Sequence, residues 1–246
     1  MKKHLKLTVA YDGSNYNGFQ RQKNGIGVQQ ILEKGLTKLF REEITIVASG
    51  RTDAKVHARR QVISFATTGK VPTSKIVQAM VSYLPKDIVV LAAEEVSKQF
   101  NARYCAVRKR YEYRLLYTKI NNPFQRDFRW QIKKEPDLLL LQEVAKVIVG
   151  EHDFAAFRSA GSSAQTTVRT IYKADWIRHK NEYIFTIEGN GFLYKMVRNI
   201  VGAMMKVGWS EITVEDFKLI LAARDRRLAG KAAPPQGLFL DEVFYK

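Results

Sequence analysis

The chain has 246 residues, of which 46% are hydrophobic and 26% are charged. These values suit a folded globular protein and exclude a fibrous or disordered one. The formal net charge is +17, which indicates a polyanionic partner, with nucleic acid the first candidate and an anionic membrane surface the second. Cys105 is the single cysteine, so no intramolecular disulfide can form and we expect a reducing cytoplasm.

The apolar runs of the chain are short. The run that follows the basic pair Lys2-Lys3 is interrupted by Lys6, and Ile200 to Trp209 is too short to span a bilayer. We therefore expect no signal peptide and no membrane partner.

The first half alternates between strand-like and helix-like apolar spacing. In chain order the prediction is a strand at Lys3–Tyr11, a loop at Asp12–Gly27, a helix at Val28–Phe40, a short strand at Ile44–Ala48, a loop at Ser49–Ala58, a strand at Gln61–Thr67, a helix between Pro72 and Pro85 with Ile76, Met80, Val81 and Leu84 on its apolar face, and a strand at Ile88–Val96.

The second half is predicted to repeat this order. It has a strand at Arg110–Tyr117, a turn at Asn121–Pro123, a helix at Pro136–Val149, a hairpin of Thr170–Ile177 and Tyr183–Ile187, a helix at Phe192–Val207, a further helix capped by Thr213 with Asp216 at its third position, a rigid loop at Ala233–Gly237, and a last strand at Leu238–Tyr245.

A β-α-β-β-α-β order is that of a ferredoxin-like unit. The sequence therefore predicts an α+β fold with two ferredoxin-like halves, residues 1–105 and 106–246. Joining the two sheets side by side is the simplest way to bury their edge strands. We expect one large, mostly antiparallel sheet with helices on one face and a central RNA-binding cleft.

The loop at residues 49–58 carries one carboxylate, Asp53, among several cations. Such neighbours are expected to lower the pKa of the carboxyl and to keep it ionised, as a nucleophile requires. A carboxylate also repels phosphate, which suggests a role other than RNA binding. The alternative is an ordinary turn, because Gly50, Thr52 and Asp53 are good turn formers. His57 is expected to hold the loop or a phosphate. The cations are Arg51, Lys55, Arg59 and Arg60.

Aromatic and basic residues are interleaved at three places, Arg103-Tyr104, Lys109–Arg114 and Phe128–Trp130. This pattern suits contacts with an RNA backbone combined with base stacking. The alternative interpretation is a set of solvated strand faces.

The segment Gly50–Ala54, followed by Val56-His57-Ala58, resembles the signature of the tRNA pseudouridine synthase A family. One departure is Lys55, where the family usually has glycine, and we infer from the lysine that this position needs no glycine-only backbone angle. Further resemblances cover nearly the whole chain in the same order. They are Asp12-Gly13, Tyr16, Gly18-Phe19-Gln20, Gln22, Arg110–Tyr113, His152–Phe154, Phe157-Arg158, Thr167–Ile171, Gly189–Gly202 and Ala233–Leu238.

The resemblance implies an enzyme that isomerises uridine to pseudouridine on the three-prime side of the anticodon stem-loop of tRNA. It also implies a homodimer with tRNA as partner and no cofactor, small molecule or metal. The sequence agrees, because it has no phosphate-binding GxxxxGKS/T loop and its four histidines, His4, His57, His152 and His179, are scattered.

The resemblance also assigns roles to individual residues. Asp53 starts cleavage of the glycosidic bond by attacking the sugar, attacking the base or removing a sugar proton. Tyr111 stacks on the uracil, Arg198 pairs with the aspartate, Arg51 orients the RNA, and Leu238 packs against the target base. Without the resemblance, Tyr111 is equally a core tyrosine and Arg198 a surface arginine.

Two other classes of protein are compatible with a basic ferredoxin-like chain. A non-enzymatic RNA-binding module is expected to carry the K/R-G-F/Y-G/A-F-V-x-F/Y sheet motif, which is absent from this sequence. An RNA hydrolase using Asp53 would need a partner acid, base or metal cluster, and none stands out.

Overall fold

The computed structural model describes residues 2–22, 24–161 and 164–246. The chain divides into two compact units, unit 1 with Met1–Val107 and Phe239–Lys246, and unit 2 with Arg108–Leu238. The predicted division lies after residue 105 and places the whole final strand in the second half, whereas the structure groups that strand, apart from Leu238, with unit 1.

The elements follow in chain order. The strands are β1 (Lys3–Tyr11), β2 (Val47–Ala48), β3 (His57–Thr67), β4 (Ile88–Glu95), β5 (Ala106–Tyr117), β6 (Trp130–Ile132), β7 (Gly150–Asp153), β8 (Val168–His179), β9 (Glu182–Gly189) and β10 (Leu238–Tyr245). The helices are α1 (Val28–Phe40), α2 (Thr73–Met80), α3 (Leu138–Val147), α4 (Met196–Gly208) and α5 (Val214–Ala223), with short 3-10 turns at Ala155–Phe157 and Pro235–Gly237. The predicted α+β class is confirmed.

Unit 1 has a sheet in which β1 lies between β4 and β3, antiparallel to both. On the other side of β3, β2 pairs antiparallel at Val47 with Ser64, and β10 pairs parallel at Phe239 with His57. Alternate residues of β1 are buried, as the period of a half-covered strand requires. This parallel pairing places His57, the first residue of β3, beside Phe239, the second residue of β10.

Unit 2 has the strand order β5-β9-β8-β7, antiparallel throughout, with β6 parallel to the end of β5. The hairpin of β8 and β9 turns at Lys180, which has φ +55°. Helix α5 begins with the predicted capping box, in which the Thr213 side chain accepts from the amide of Asp216 and the Asp216 side chain accepts from the amide of Thr213.

Several predicted bounds were wrong, for identifiable reasons. The predicted strand at Ile44–Ala48 is shortened to β2, because the amides of Ile44 and Ile46 donate to side chains of α1, Thr37 and Glu33. Helix α2 ends at Met80, so Val81 does not lie on its apolar face and is 71% exposed.

The other wrong bounds concern strand and helix starts. β3 begins at His57 rather than at Gln61, because the charged pair Arg59-Arg60 interrupts the alternation of apolar and polar residues from which the strand was predicted. Helix α4 begins at Met196 rather than Phe192, after Lys195 in the left-handed region at φ +58°. Asp137 caps α3 with its side chain, which leaves Pro136 outside that helix. β6 and β7 were not predicted.

Across the described ranges, no helix combines the length and the apolar character that crossing a membrane requires.

Candidate active site

The first half of the loop that joins β2 to β3 in unit 1 is held by hydrogen bonds to the neighbouring strands. The amide of Ser49 donates to the carbonyl of Val62 at 2.8 Å, and Gln61 Nε2 donates to the carbonyl of Gly50 at 3.0 Å. Thr52 is buried, with its hydroxyl 2.8 Å from the Tyr11 hydroxyl. These bonds fix the loop to the first and third strands of the unit.

The glycine-rich segment after β1 packs directly against this loop. The amide of Phe19 donates to the carbonyl of Thr52 at 3.0 Å, and the amide of Lys55 donates to the carbonyl of Tyr16 at 3.2 Å. A Cβ on Gly13 would lie 2.1 Å from the carbonyl oxygen of Val56, and one on Gly18 would lie 2.8 Å from that of Thr52. The two segments approach each other this closely only because both positions are glycine.

Asp53 lies on this loop between two buried positions, Thr52 and Val56. Asp53 is half-buried, whereas Thr52 is 7% exposed and Val56 is 1% exposed. Its own carbonyl accepts from the amide of Val56 at 3.2 Å, which closes the turn. The arrangement anchors the backbone around Asp53 and leaves the residue partly exposed.

The cations around Asp53 fall into two groups. Arg51 and Lys55 are exposed on the loop itself. Arg59 and Arg60 are on β3 and form ion pairs with carboxylates of β10: Arg59 Nη1 lies 2.8 Å from Asp241 Oδ1, and Arg60 Nε lies 3.4 Å from Glu242 Oε1. The structure therefore separates the four predicted neighbours into two loop cations and two that pair with the last strand.

His57 is 1% exposed, at the start of β3. Its Nδ1 accepts from the amide of Gly13 at 3.0 Å, and its ring stacks on Phe239 with centroids 4.7 Å apart. Nδ1 also lies 3.1 Å from Oδ1 of Asp12, but a nitrogen that accepts from an amide carries no proton to donate. Of the two predicted roles, holding the loop is the one that this burial supports.

Lys55 adopts a backbone angle that glycine favours. Its φ is +63°, in the left-handed region where a side chain is disfavoured. The angle is not restricted to glycine, as the sequence indicated, but the lysine adopts it at a cost that glycine would avoid. Strain of this kind is often found in functional loops.

Three predicted site residues lie in unit 2. Tyr111 on β5 is 8% exposed and meets Phe192 edge-to-face with centroids 5.0 Å apart. Arg198 on α4 is half-buried, and its Nε donates to the carbonyl of Ala233 at 2.8 Å. Leu238 is 5% exposed at the start of β10. Both Tyr111 and Leu238 therefore show only a small part of their side chains.

The loop before β10 is packed tightly against α4 and β5. The amide of Ala233 donates to the carbonyl of Arg198 at 2.9 Å, and a Cβ on Gly202 would lie 2.2 Å from the carbonyl oxygen of Lys231. The Tyr113 hydroxyl donates to the carbonyl of Pro234 at 2.7 Å. Burial raises the pKa of Tyr113 well above its usual value, and the nearby charge of Arg198 opposes that rise.

The sequence interpretation missed Asn199, which is fully buried beside Arg198 on α4. Its Nδ2 donates to the carbonyl of Phe157 at 2.7 Å, and its Oδ1 accepts from Nη2 of Arg226 at 2.8 Å. Because both the NH2 group and the oxygen of this side-chain amide are hydrogen-bonded, Asn199 fixes the turn at Ala155–Phe157 against the helix. The feature of the sequence that could have identified this residue is an asparagine within an otherwise largely apolar helical segment.

Within the described part of the chain, no group of three or more histidine, cysteine, aspartate or glutamate side chains is arranged to hold a metal ion.

Comparison with known proteins defines the class of this fold and loop. A family model described as tRNA pseudouridine synthase matches residues 7–105 and 144–246. The chain belongs to this family, and it is therefore an isomerase that acts on uridine in tRNA.

Individual relatives show which members of the family the chain resembles. A protein named tRNA pseudouridine synthase A from Thermoanaerobacter sp. (strain X514) is 42% identical over 243 residues, covering 99% of this chain and 100% of the relative. One of the same name from Lysinibacillus sphaericus is 43% identical over 245 residues, with 99% and 100% covered. A third, tRNA pseudouridine synthase A 1 from Protochlamydia amoebophila, is 42% identical over 245 residues, with 98% and 96% covered. The predicted family is confirmed, and the binding-module and hydrolase alternatives find no support in these matches.

Proposed function

We propose that Asp53 is the catalytic carboxylate of this tRNA pseudouridine synthase. The observation that carries the proposal is the construction of its loop. The buried residues Thr52 and Val56, before and after Asp53 on the loop, anchor the backbone, while Asp53 itself stays partly exposed. A catalytic group must be held by its surroundings and must also be accessible to its substrate.

Each of the three routes open to Asp53 uses a carboxylate oxygen as a nucleophile or base. Attack on the sugar or the base forms a covalent intermediate, and removal of a sugar proton is general base catalysis. In every route the target uridine must first leave its stack, at a cost of a few kcal/mol. A net charge of +17 supplies attraction to the tRNA backbone that offsets this cost.

The remaining site residues are assigned to substrate binding by the family resemblance. Arg51 is exposed beside Asp53 and is suited to a phosphate or a displaced base. Tyr111 and Leu238 supply apolar contact to the uracil, and Arg198 supplies a fixed cation. His57 acts through the loop that it holds, because it is buried.

The finer assignments also rest on the resemblance. The target is the three-prime side of the anticodon stem-loop, the working form is a homodimer, and the compartment is the cytoplasm.

Release of tritium from C5-labelled uridine in tRNA tests the function, because forming the new carbon bond at C5 expels the C5 hydrogen. We expect turnover by the wild type and none by Asp53→Asn, with near-normal tRNA affinity for both. Loss of the rate without loss of binding is the signature of a group that acts in the chemical step.

Asp137→Asn is the matched control. It makes the same chemical change at the N-cap of α3, where asparagine serves as well as aspartate, and we expect wild-type turnover. Continued turnover by Asp53→Asn would show that another group is catalytic. A wild-type protein that binds tRNA and never releases label would contradict the proposed reaction.

A further inference from the structure

The loop between β5 and β6, residues 118–129, displays two large apolar side chains at its surface. Phe124 is 87% exposed and Ile120 is 82% exposed, the two largest exposures among the large hydrophobic side chains of the described residues. Exposed apolar side chains that cluster in one patch often mark a binding surface, and these two lie four residues apart on one loop. Neither residue belongs to the site described above.

This loop, called here the 118–129 loop, is held in one shape by its own hydrogen bonds. Asn122 donates its amide to Gln131 Oε1 at 2.8 Å and accepts from Gln131 Nε2 at 2.7 Å through its carbonyl. The Asn122 side chain accepts from the amide of Phe124 at 3.0 Å. The exposed ring is therefore presented on an ordered turn, so that little conformational entropy is lost when a partner binds.

The segment that carries the ring is positively charged by sequence, although one of its cations, Arg129, is ion-paired with Glu182 at 2.9 Å. Residues 118–134 include five cations and one carboxylate, Asp127, a net charge of +4 by that count. Arg126 Nε lies 3.3 Å from Asp127 Oδ2, with both side chains more than half exposed, and an exposed pair of this kind contributes little. The five cations are Lys119, Arg126, Arg129, Lys133 and Lys134.

We propose that the 118–129 loop is a tRNA-binding element in which Phe124 stacks on an unpaired base while Lys119 and Arg126 contact the flanking phosphates. An exposed aromatic ring among cations is the usual platform for a single-stranded nucleotide. The proposal rests on the proposed function to the extent that tRNA is the substrate.

A second copy of the chain is a poorer occupant of this surface. In a two-fold dimer the same surface of both copies forms the interface. Two loops, each with a net charge of +2 from Lys119, Arg126, Arg129 and Asp127, would then lie in one interface, where like charges disfavour association. A polyanionic partner is attracted to this charge, which is why the observations favour RNA.

The test measures the tRNA affinity of the full chain carrying single substitutions at Phe124. Phe124→Ala is expected to weaken binding about 5- to 140-fold, the range for removing one aromatic stacking contact. Phe124→Tyr should bind as the wild type does, and Phe124→Leu should be weakened like the alanine variant. Phe124→Trp should show a larger quenching of indole fluorescence on tRNA binding than the wild type, which has three tryptophans of its own.

Charge and position are tested separately. Lys119→Gln should reduce the slope of log affinity against log salt by about one. Leu139→Ala is the control, because this side chain is 74% exposed on α3 of the same unit, and it should leave the affinity unchanged.

Several results would overturn the proposal. Wild-type affinity in Phe124→Ala would remove the loop from the RNA interface, and full affinity in Phe124→Leu would replace stacking by a plain apolar contact. A Phe124→Ala protein that sediments as a monomer where the wild type is a dimer would make the loop a subunit interface. Binding to phosphatidylserine vesicles that depends on Phe124, with tRNA affinity independent of it, would make the partner a membrane.

Tritium release by the wild type keeps the two proposals distinguishable. If the wild type releases label and Phe124→Ala binds tRNA normally, only the loop proposal fails. If the wild type releases no label, the proposed reaction fails, and the affinities of the Phe124 variants are still informative.

Discussion

Gly18→Ala tests whether close packing of the glycine-rich segment positions Asp53. Gly18 has φ +88°, and a Cβ there would lie 2.8 Å from the carbonyl oxygen of Thr52 and 3.2 Å from the carbonyl carbon of Asp53. A side chain at positive φ costs about 1–2 kcal/mol, and crowding against backbone costs about 1–3 kcal/mol more. Alanine returns about 0.4–1 kcal/mol by restricting the unfolded chain. The expected net loss of stability is therefore about 1–5 kcal/mol.

Gly161→Ala is the matched control for this substitution. Gly161 has φ +84°, and a Cβ added there would meet nothing within 4 Å, so its substitution carries the backbone strain without the crowding. Denaturant unfolding of both variants separates the two costs. Single-turnover tritium release should fall for Gly18→Ala, because a displacement of about 1 Å at a catalytic group can cost about 100-fold. Equal stability losses together with an unchanged rate would refute the reasoning.

Three further substitutions probe the loop, a turn and the helix. Lys55→Gly should be more stable to denaturant than Lys55→Ala by about 1 kcal/mol, because both remove the charge and only glycine relieves the positive φ; equal stability would deny the strain. Hydrogen bonds from Thr67, Thr68 and the backbone lower the pKa of Glu42 to about 2. The ionised carboxylate therefore stabilises the fold fully above its pKa in the unfolded chain, and this stabilisation is lost as the pH falls towards 2. The unfolding temperature of Glu42→Gln, measured from pH 2 to 6, should depend less on acid than that of the wild type, and parallel curves would contradict this. Arg198→Ala should lower the single-turnover rate about 100-fold and cost about 1.5–3 kcal/mol through the lost bond to Ala233; a large stability loss with an unchanged rate would contradict it.

The sequence predicted those elements whose periodicity is long and uninterrupted. The bounds of β1, α1 and β10 match the structure, and the capping box at Thr213 was read from two residues alone. β6 and β7, of three and four residues, were too short for a periodic signal. Short strands depend on their partners in space, which local spacing does not encode.

Errors near the site have a different origin, because tertiary contacts replaced local preferences. The amides of Ile44 and Ile46 bond to side chains of α1, so an apolar alternation that predicts a strand produces none there. At Lys55 a residue with a Cβ adopts an angle that its chemistry disfavours. Sequence patterns are expected to mislead most where the fold imposes strain.

The glycine-rich segment after β1 and the loop at residues 49–58 both carry the family resemblance, and the two pack together. Phe19 and Tyr16 bond to the backbone of the loop at Thr52 and Lys55, and Gly13 bonds to His57. Several of the bonds that hold this loop join its backbone to the glycine-rich segment, so its geometry depends on that segment. It follows that changes in the glycine-rich segment should reduce turnover even though that segment supplies no catalytic group.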